Sequence, residues 1–328
     1  MLLPCLLWLC SSTATAAPDA ECNAGHESCP STTPAEQNWV DSSYEYVTSR
    51  SDALAVWLDS FFGTPTSDRE SADTILRLRG EVVLDEDNGV DTDLRLRGKV
   101  DLPRLSKRLS LIFSEDNEEY GEVVPDSTGG KDVGVQLRLA DRGASRLWVS
   151  MSLNGSLDLR TSLRYKYLQT FGDDWRVQFG EKFYYKQDDG FGALTRVDLD
   201  YLIGIDRMVR WTNQVDYGEE TAGAEWGSLL SYQIRIDPRQ ALSYFASVSG
   251  QTDPDRFTTG YGFGVRYRRN VARPWIFVEV EPAHVWRRDN LEESRGSVWM
   301  LTLRLELLEE RQNRHGKRRD GARAAGVD

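Results

Sequence analysis

The segment Thr74–Pro103 reads TILRLRGEVVLDEDNGVDTDLRLRGKVDLP and contains one short pattern twice. Leucine and arginine alternate through residues 76–79 and again through residues 94–97, on either side of an acidic Asp-Asn-Gly turn. Because successive side chains of a strand point to opposite faces, Leu lies on one face of each strand and Arg on the other. The segment therefore predicts a hairpin with one apolar face and one charged face.

The same period of two continues to about Leu308 and predicts fourteen strands, within a range of twelve to sixteen. The predicted strands are 74–84, 91–102, 107–115, 131–140, 145–153, 156–168, 174–186, 190–204, 207–217, 222–236, 240–250, 256–269, 274–287 and 297–308. Most of them are longer than a typical strand of a soluble protein, which has about five or six residues. They match the length of about nine to eleven residues that crosses a bilayer at a tilt.

The predicted connections alternate between an acidic, usually longer set and a shorter set. The first set reads DEDNG, SEDNEEYGEVVPDSTGG, NGS, KQDDG, YGEETAG, GQTDPDR and RRDNLEESRG, and the second reads PRLSK, ADRGA, LQTFGDD, GIDRM, DPRQ and NVARP. Transmembrane barrels have short periplasmic turns and longer outer loops around an even number of antiparallel strands. This alternation predicts such a barrel, with both chain ends on the periplasmic side.

Two solvents explain the Leu/Arg alternation better than one. A soluble sandwich also alternates, but an Arg facing lipid near the midplane costs about 2 to 4 kcal/mol, so the many Arg must face an aqueous or ion-paired interior. Aromatic residues fall near strand ends on the predicted outer face, as in the girdles of membrane barrels. They are Tyr165, Tyr167, Trp175, Tyr185, Tyr201, Trp211, Tyr217, Trp226, Tyr232, Tyr261, Tyr267, Trp286 and Trp299. The sequence therefore predicts an all-β, antiparallel transmembrane β-barrel.

Three places depart from this regular pattern. Glu181 falls on the outer face and Pro282 interrupts a strand, so we expect a bulge or a register change near each. The run Gly260–Gly264 puts three glycines on the inner face. Their missing side chains either let the wall curve, which we favour, or leave room for a helix or a folded-in loop.

The inner face is predicted to be net basic although the whole chain has a net charge of -12. The predicted lumen-lining residues are Arg77, Arg79, Glu81, Asp93, Arg95, Arg97, Lys99, Arg138, Arg160, Arg164, Lys166, Arg196, Asp198, Arg266, Arg268, Glu279, Glu281 and Arg304. Arg176, Arg235, Asp158, Asp200 and Glu306 share this register. Two interpretations remain open: a pore that favours anionic or polar solutes, or a packed interior in which Arg pairs with acids across strands.

The N-terminal region divides into three predicted parts. Residues 1–16 have an apolar run and an Ala14-Thr15-Ala16 site, typical of a secretory signal peptide. Residues 17–37 are polar and predicted to be disordered, and Cys22 and Cys29 favour a small disulfide loop over a metal site. Residues 38–66 predict an amphipathic helix that packs on the barrel, lies at a membrane surface or acts as a plug. A polar basic tail follows at residues 309–328, after a barrel predicted at 72–308.

Between Thr74 and Leu308 the chain resembles Gram-negative outer-membrane β-barrels of the porin-like kind. The Phe61-Phe62 pair followed by Leu-Arg-Leu-Arg-Gly resembles one family of such barrels. The spacing of Ser294, Gly296, Trp299 and Leu301 is similar to the signal read by the barrel-assembly machinery, although many such barrels end in an aromatic residue and this chain continues into a basic tail. The resemblance implies an outer-membrane location, with lipids and lipopolysaccharide as neighbours, and names no cofactor.

Composition and residue placement argue against several other functions. The acidic charge and the lack of a basic patch with interleaved aromatics disfavour nucleic-acid binding. Histidine occurs at positions 26, 284 and 315, and His284 lacks the Gly and Ser neighbours of outer-membrane phospholipases, so we expect no Ser–His hydrolase. Glu279 and Glu281 share a face, but ion pairing is favoured over acid–base catalysis. We predict a passive channel for small polar or anionic solutes, with a lipid-modifying enzyme and a closed structural or partner-binding barrel as alternatives.

Overall fold

The structure is a computed structural model that describes residues 53–62, 74–102, 106, 108–113 and 132–311. The predicted signal peptide, the segment with Cys22 and Cys29, and the tail beyond residue 311 lie outside the described residues. One helix, α1 (residues 53–62), lies within the predicted helix at 38–66. No described helix has the length and apolar character needed to cross a membrane.

Fourteen antiparallel strands form one closed barrel, which confirms the predicted fold and strand number. They are β1 (Thr74–Asp85), β2 (Gly89–Asp101), β3 (Leu109–Phe113), β4 (Val133–Arg142), β5 (Ser145–Leu153), β6 (Leu159–Phe171), β7 (Trp175–Lys186), β8 (Gly190–Ile203), β9 (Arg207–Gly218), β10 (Ala224–Asp237), β11 (Gln240–Gln251), β12 (Phe257–Asn270), β13 (Ile276–Arg287) and β14 (Gly296–Arg311). Each strand pairs with its neighbours in sequence, and β1 closes the ring by pairing with β14. Closure leaves no sheet edge along β1 or β14.

The repeated Leu/Arg segment forms the hairpin β1–β2. Leu78 lies opposite Leu96 and Arg79 lies opposite Arg95, so the two faces stay separate across the pair. Leu76 is 41 % exposed, whereas the next side chain, Arg77, is 6 % exposed. A charged side chain more buried than its apolar neighbour is the reverse of a soluble sheet and is expected of a barrel with lipid outside.

Aromatic side chains on the exposed face cluster towards the two ends of the barrel. Trp175 and Tyr201 have ring centroids 4.7 Å apart at the proximal end, defined as the end that carries the first residue of β1 and the last of β14. At the opposite, distal end, Tyr261 and Trp286 stack with centroids 5.2 Å apart. Such bands are typical of the two membrane–water interfaces of a transmembrane barrel.

Strand boundaries depart from the sequence predictions at several points. β6 begins at Leu159 rather than at residue 156, because the Asn154 side-chain oxygen accepts hydrogen bonds from the backbone N–H groups of Ser156 and Asp158 and so closes a turn. Leu157, which falls inside the predicted strand 156–168, lies in that turn with φ 69°. β14 continues to Arg311, past the predicted barrel end at residue 308, because its last residues still pair with β1.

The predicted irregularities near Glu181 and Pro282 are wrong. β7 pairs with both neighbours through Glu181 without a register shift. At Pro282 the pairing of β13 with β14 continues, whereas the pairing with β12 is interrupted at Glu281 and Pro282 and resumes in the same register. Glu181 does lie on the outer face, where its carboxylate accepts a 2.8 Å hydrogen bond from the Thr195 hydroxyl. A polar partner on the next strand therefore removes the need for a bulge. Register shifts occur instead in β4–β5, β10–β11 and β11–β12.

Candidate functional site

Helix α1 packs inside the proximal end of the barrel. Its buried residues form one apolar cluster with side chains beside three proximal links: Leu54, Ala55, Leu58, Phe61 and Phe62 of α1 meet Leu202, Met208, Ala241 and Phe277 of the wall. The rings of Phe61 and Phe277 meet edge to face at 5.5 Å. Trp57 stacks on Phe61 and lies 5.4 Å under the guanidinium of Arg235. The apolar stripe of the helix is thus buried against the barrel wall.

A single carboxylate at the centre of this apolar face fixes the helix to the wall. Asp59 Oδ2 accepts a 2.7 Å hydrogen bond from Arg176 of β7, and Asp59 Oδ1 forms an ion pair with Arg210 of β9 at 2.6 Å. Asp200 of β8 accepts from both arginines, at 3.0 Å from Arg176 and 2.6 Å from Arg210. These four residues, the plug cluster, are each at most 2 % exposed and carry two positive and two negative charges.

The predicted inner face includes Arg176 and Asp200. It does not include Arg210, and no contact with the wall was predicted for Asp59. Arg210 precedes the outward Trp211, so strict alternation would have placed it inside. Asp59 lies four residues after Ala55 and three before Phe62, on the same helical face. An acid among apolar positions at this spacing is the signal that points to a buried cationic partner.

A second charged cluster surrounds Glu306 where β12, β13, β14 and β1 meet. Arg268 donates a 2.7 Å hydrogen bond to Glu306, Arg79 lies 3.1 Å from its other oxygen, and Arg77 approaches within 3.4 Å. Arg77 and Arg79 stand directly opposite Arg97 and Arg95 in the β1–β2 hairpin, so the hairpin alone places like charges face to face. The acid that compensates them comes from the other end of the chain.

The neighbouring Glu279 and Glu281 each contact more than one guanidinium. Arg304 lies 2.5 Å from Glu279 and 2.7 Å from Glu281, and it also bonds to Glu81. Arg266 bonds to Glu281 at 2.5 Å. Two carboxylates that each contact several guanidinium groups suit ion pairing, and not the role of a general acid, which must hold a proton.

The inner face of β2 to β7 carries mostly cations among the described residues. The cations are Arg95, Arg97, Lys99, Arg138, Arg146, Arg160, Arg164, Lys166, Arg176, Lys182 and Lys186, and the acids are Asp91, Asp93, Asp101 and Asp141. Arg146, Lys182 and Lys186 lie on this wall in addition to the predicted residues. We call this face of β2 to β7 the basic wall. Apart from the arginines of the Glu306 cluster, most of the predicted lumen-lining cations lie on it.

Several of these side chains have local partners. Arg95 pairs with Asp93, Arg138 with Asp141 at 3.5 Å, and Arg160 with Asp132 at 3.2 Å. On β8, Arg196 holds Asp198 at 3.0 Å, and Thr212 donates a 2.5 Å hydrogen bond to the same carboxylate. The Arg95 side chain is 43 % exposed and that of Arg196 is 2 % exposed. Solvent therefore reaches the β2 side of the enclosed space, while the β8 side is filled.

The inner glycines of β12 make room for the wall itself. A Cβ on Gly264 would lie 2.5 Å from the Phe245 ring and 2.8 Å from the Pro282 carbonyl oxygen. One on Gly262 would lie 2.7 Å from the His284 carbonyl oxygen. Both approaches are far closer than van der Waals contact, so larger residues would displace the neighbouring strand or ring. Helix α1 does not occupy this space, because it packs at the proximal end.

His284 lies on the exposed outer face near the distal end. Its ring packs against Trp286 and Trp299, each with centroids 4.3 Å away, and its Nε2 is 2.8 Å from the Ser297 hydroxyl. This contact could not be predicted from strand periodicity, since Ser297 lies on the following strand. Nδ1 has no hydrogen-bond partner among the described residues. A Ser–His pair is therefore present, without a described acid to orient it.

Comparisons with known proteins found structural similarities at low sequence identity. No family model matches the sequence, and no curated protein is significantly similar to it. OmpT of Vibrio cholerae is 11 % identical, with a TM-score of 0.45 over 73 % of this chain and 97 % of that one. The outer membrane channel DcaP of Acinetobacter baumannii is 11 % identical, with a TM-score of 0.44 over 73 % of this chain and 97 % of that one. The CymD monoaromatic hydrocarbon channel is 9 % identical, with a TM-score of 0.45 over 74 % of this chain and 89 % of that one. These values support no inference about function.

Proposed function

We propose that the protein is an outer-membrane channel for small polar or anionic solutes, held closed at its proximal end by α1. The main observation that supports this proposal is that the inner wall is charged and net basic, whereas the exterior of the barrel is apolar. Rings and ladders of Arg and Lys bias a passage towards anions. The exposed Arg95 marks the side of the enclosed space that solvent reaches.

The proposed orientation is based on the connections. The distal links are the acidic set, and both ends of the barrel chain lie at the proximal end. In a bacterial outer membrane the shorter turns face the periplasm, so α1 and both chain ends would be periplasmic. Lipopolysaccharide and other outer-membrane lipids would then surround the barrel, and the barrel-assembly machinery would insert it.

Reversing the charge of the exposed Arg95 and of the half-buried Arg97 on the same face of β2 should change ion selectivity. We expect the double variant Arg95→Glu, Arg97→Glu to lower the anion-to-cation permeability ratio by about twofold or more, because two cations of the solvent-accessible wall become anions. The measurement is the reversal potential under a salt gradient in a planar bilayer, with Asp59→Asn added to each full chain so that α1 is released and the channel conducts.

The matched control is Arg207→Glu, Arg239→Glu, which makes the same change in net charge at exposed residues of the proximal end. This control should shift the ratio much less than the Arg95, Arg97 pair. If the two double variants shifted the permeability ratio equally, ions would not pass along the inner face of β2, and this part of the proposal would be wrong. An absence of any current, including from variants that release α1, would contradict the channel itself.

The Ser297–His284 contact favours one second candidate, a lipid-modifying enzyme. The pair faces the exterior near the distal end, where ester groups of outer-leaflet lipids would lie. Phospholipid hydrolysis by the purified full chain tests this function. Activity that is lost in Ser297→Ala would establish the enzyme, and conductance without hydrolysis would leave the channel as the function.

A further inference from the structure

Two arginines of the distal link between β13 and β14 converge on one backbone oxygen. Arg288 Nε donates to the Thr258 carbonyl oxygen at 3.3 Å, and Arg295 Nη2 donates to the same oxygen at 2.9 Å. Arg295 Nη1 also donates to the Thr259 carbonyl oxygen at 3.3 Å. The two guanidinium groups, here the arginine pair, are therefore held side by side in spite of their like charge.

The arginine pair has carbonyl and aromatic partners in place of carboxylates. Arg288 Nη1 donates to the Leu291 carbonyl oxygen at 3.4 Å and its guanidinium lies 5.2 Å from the Phe257 ring. The guanidinium of Arg295 lies 4.9 Å from the Tyr261 ring. Neither arginine forms an ion pair with any residue that the structure describes, although acidic residues are common in the same link. Positive charge is thus concentrated without a counter-ion from the described protein.

An apolar aromatic surface lies directly below the arginine pair on the outer face. Tyr261, Phe263 and Trp299 are 43 %, 51 % and 58 % exposed. Trp286 lies between them, 5.2 Å from Tyr261 and 5.9 Å from Phe263. Aromatic rings at the membrane interface pack against acyl chains, and guanidinium groups bind phosphate through paired, charge-assisted hydrogen bonds.

We infer that the arginine pair binds the phosphate group of an outer-leaflet glycolipid whose acyl chains lie on the Tyr261, Phe263, Trp286 and Trp299 surface. Such a lipid would match the surface in two ways. Its phosphate would meet the arginine pair, which lies beyond the distal aromatic band, and its acyl chains would meet the exposed rings, which face the hydrocarbon. A free phosphate ion would satisfy the guanidinium groups alone. The inference rests on the outer-membrane location in the proposed function.

The test uses the full chain in detergent micelles and compares three probes: diphosphorylated lipid A, lipid A without its phosphates, and inorganic phosphate. We expect the phosphorylated lipid to bind about tenfold or more tightly than the dephosphorylated lipid. Arg288→Gln, Arg295→Gln should lose this preference. The matched control, Arg269→Gln, removes an exposed outer-face arginine from the proximal end of β12 and should keep the preference.

Equal binding of the two lipids by the natural chain would overturn the inference, as would an unchanged preference in the double variant. Displacement of lipid A by inorganic phosphate at equal concentration would show that the site takes the free ion and would also overturn it. Heat-modifiable gel mobility of each variant establishes that the barrel is folded. Conductance does not enter this experiment, so a failed channel proposal and a failed lipid site remain distinguishable.

Discussion

The variant Asp59→Asn is expected to conduct ions far better than the natural protein. Asparagine keeps the size of the side chain but removes one of the two negative charges that face Arg176 and Arg210. Taking one partner from a buried ion pair costs about 3 to 5 kcal/mol. That loss corresponds to a factor of roughly a hundred or more in the equilibrium between docked and released α1. Single-channel recording of the full chain in a planar bilayer measures the effect.

A control on the same helix separates plug release from general damage. Ser60 is exposed and its hydroxyl bonds to the Trp57 carbonyl oxygen within α1, so Ser60→Ala leaves the plug cluster intact. We expect its conductance to equal that of the natural protein. If Asp59→Asn also behaves like the natural protein, α1 does not limit ion flow and the closed state must have another cause.

The variant Glu306→Gln is expected to destabilise the barrel by about 3 to 5 kcal/mol. The Glu306 carboxylate is 1 % exposed and is the shared partner of Arg77, Arg79 and Arg268. A neutral amide would leave three guanidinium groups close together, with repulsion that the low-polarity wall does not screen. Equilibrium unfolding in urea, followed by tryptophan fluorescence in lipid vesicles, measures the change.

Glu292→Gln is the matched control, since it makes the same chemical change at an exposed residue of the distal link between β13 and β14. A surface change of this kind should alter the free energy of unfolding by about 0.5 kcal/mol or less. Similar unfolding midpoints for the two variants would mean that the Glu306 cluster contributes little to stability.

Local pattern predicted most of the barrel. The alternation of Leu76 to Arg79 and its repeat at residues 94–97 fixed which side chains share a face, because a strand has only two faces. The failures were local as well: the Asn154 side chain closes a turn that delays β6, and Thr195 on the next strand satisfies Glu181 without a bulge. A rule for one strand does not include the partner that a neighbouring strand provides.

The candidate site was predictable only in part. Alternation placed Arg77, Arg268 and Glu306 on one face, and counting would also have placed Arg210 there. Their contacts join β1 to β14 and α1 to β7 and β9, at sequence separations of 227 for Arg79 with Glu306 and 117 for Asp59 with Arg176. Periodicity carries no information about pairs at such distances.

The sequence alone determined a fourteen-strand wall with an apolar and a charged face, because strand length and alternation are set by neighbouring residues and by the two solvents. Tertiary structure alone decided how the charges are compensated and what fills the enclosed space. Closing the ring brings Glu306 to the arginines of β1, and docking α1 puts Asp59 between Arg176 and Arg210. Electrostatic energy depends on distance in space, and only the folded chain fixes those distances.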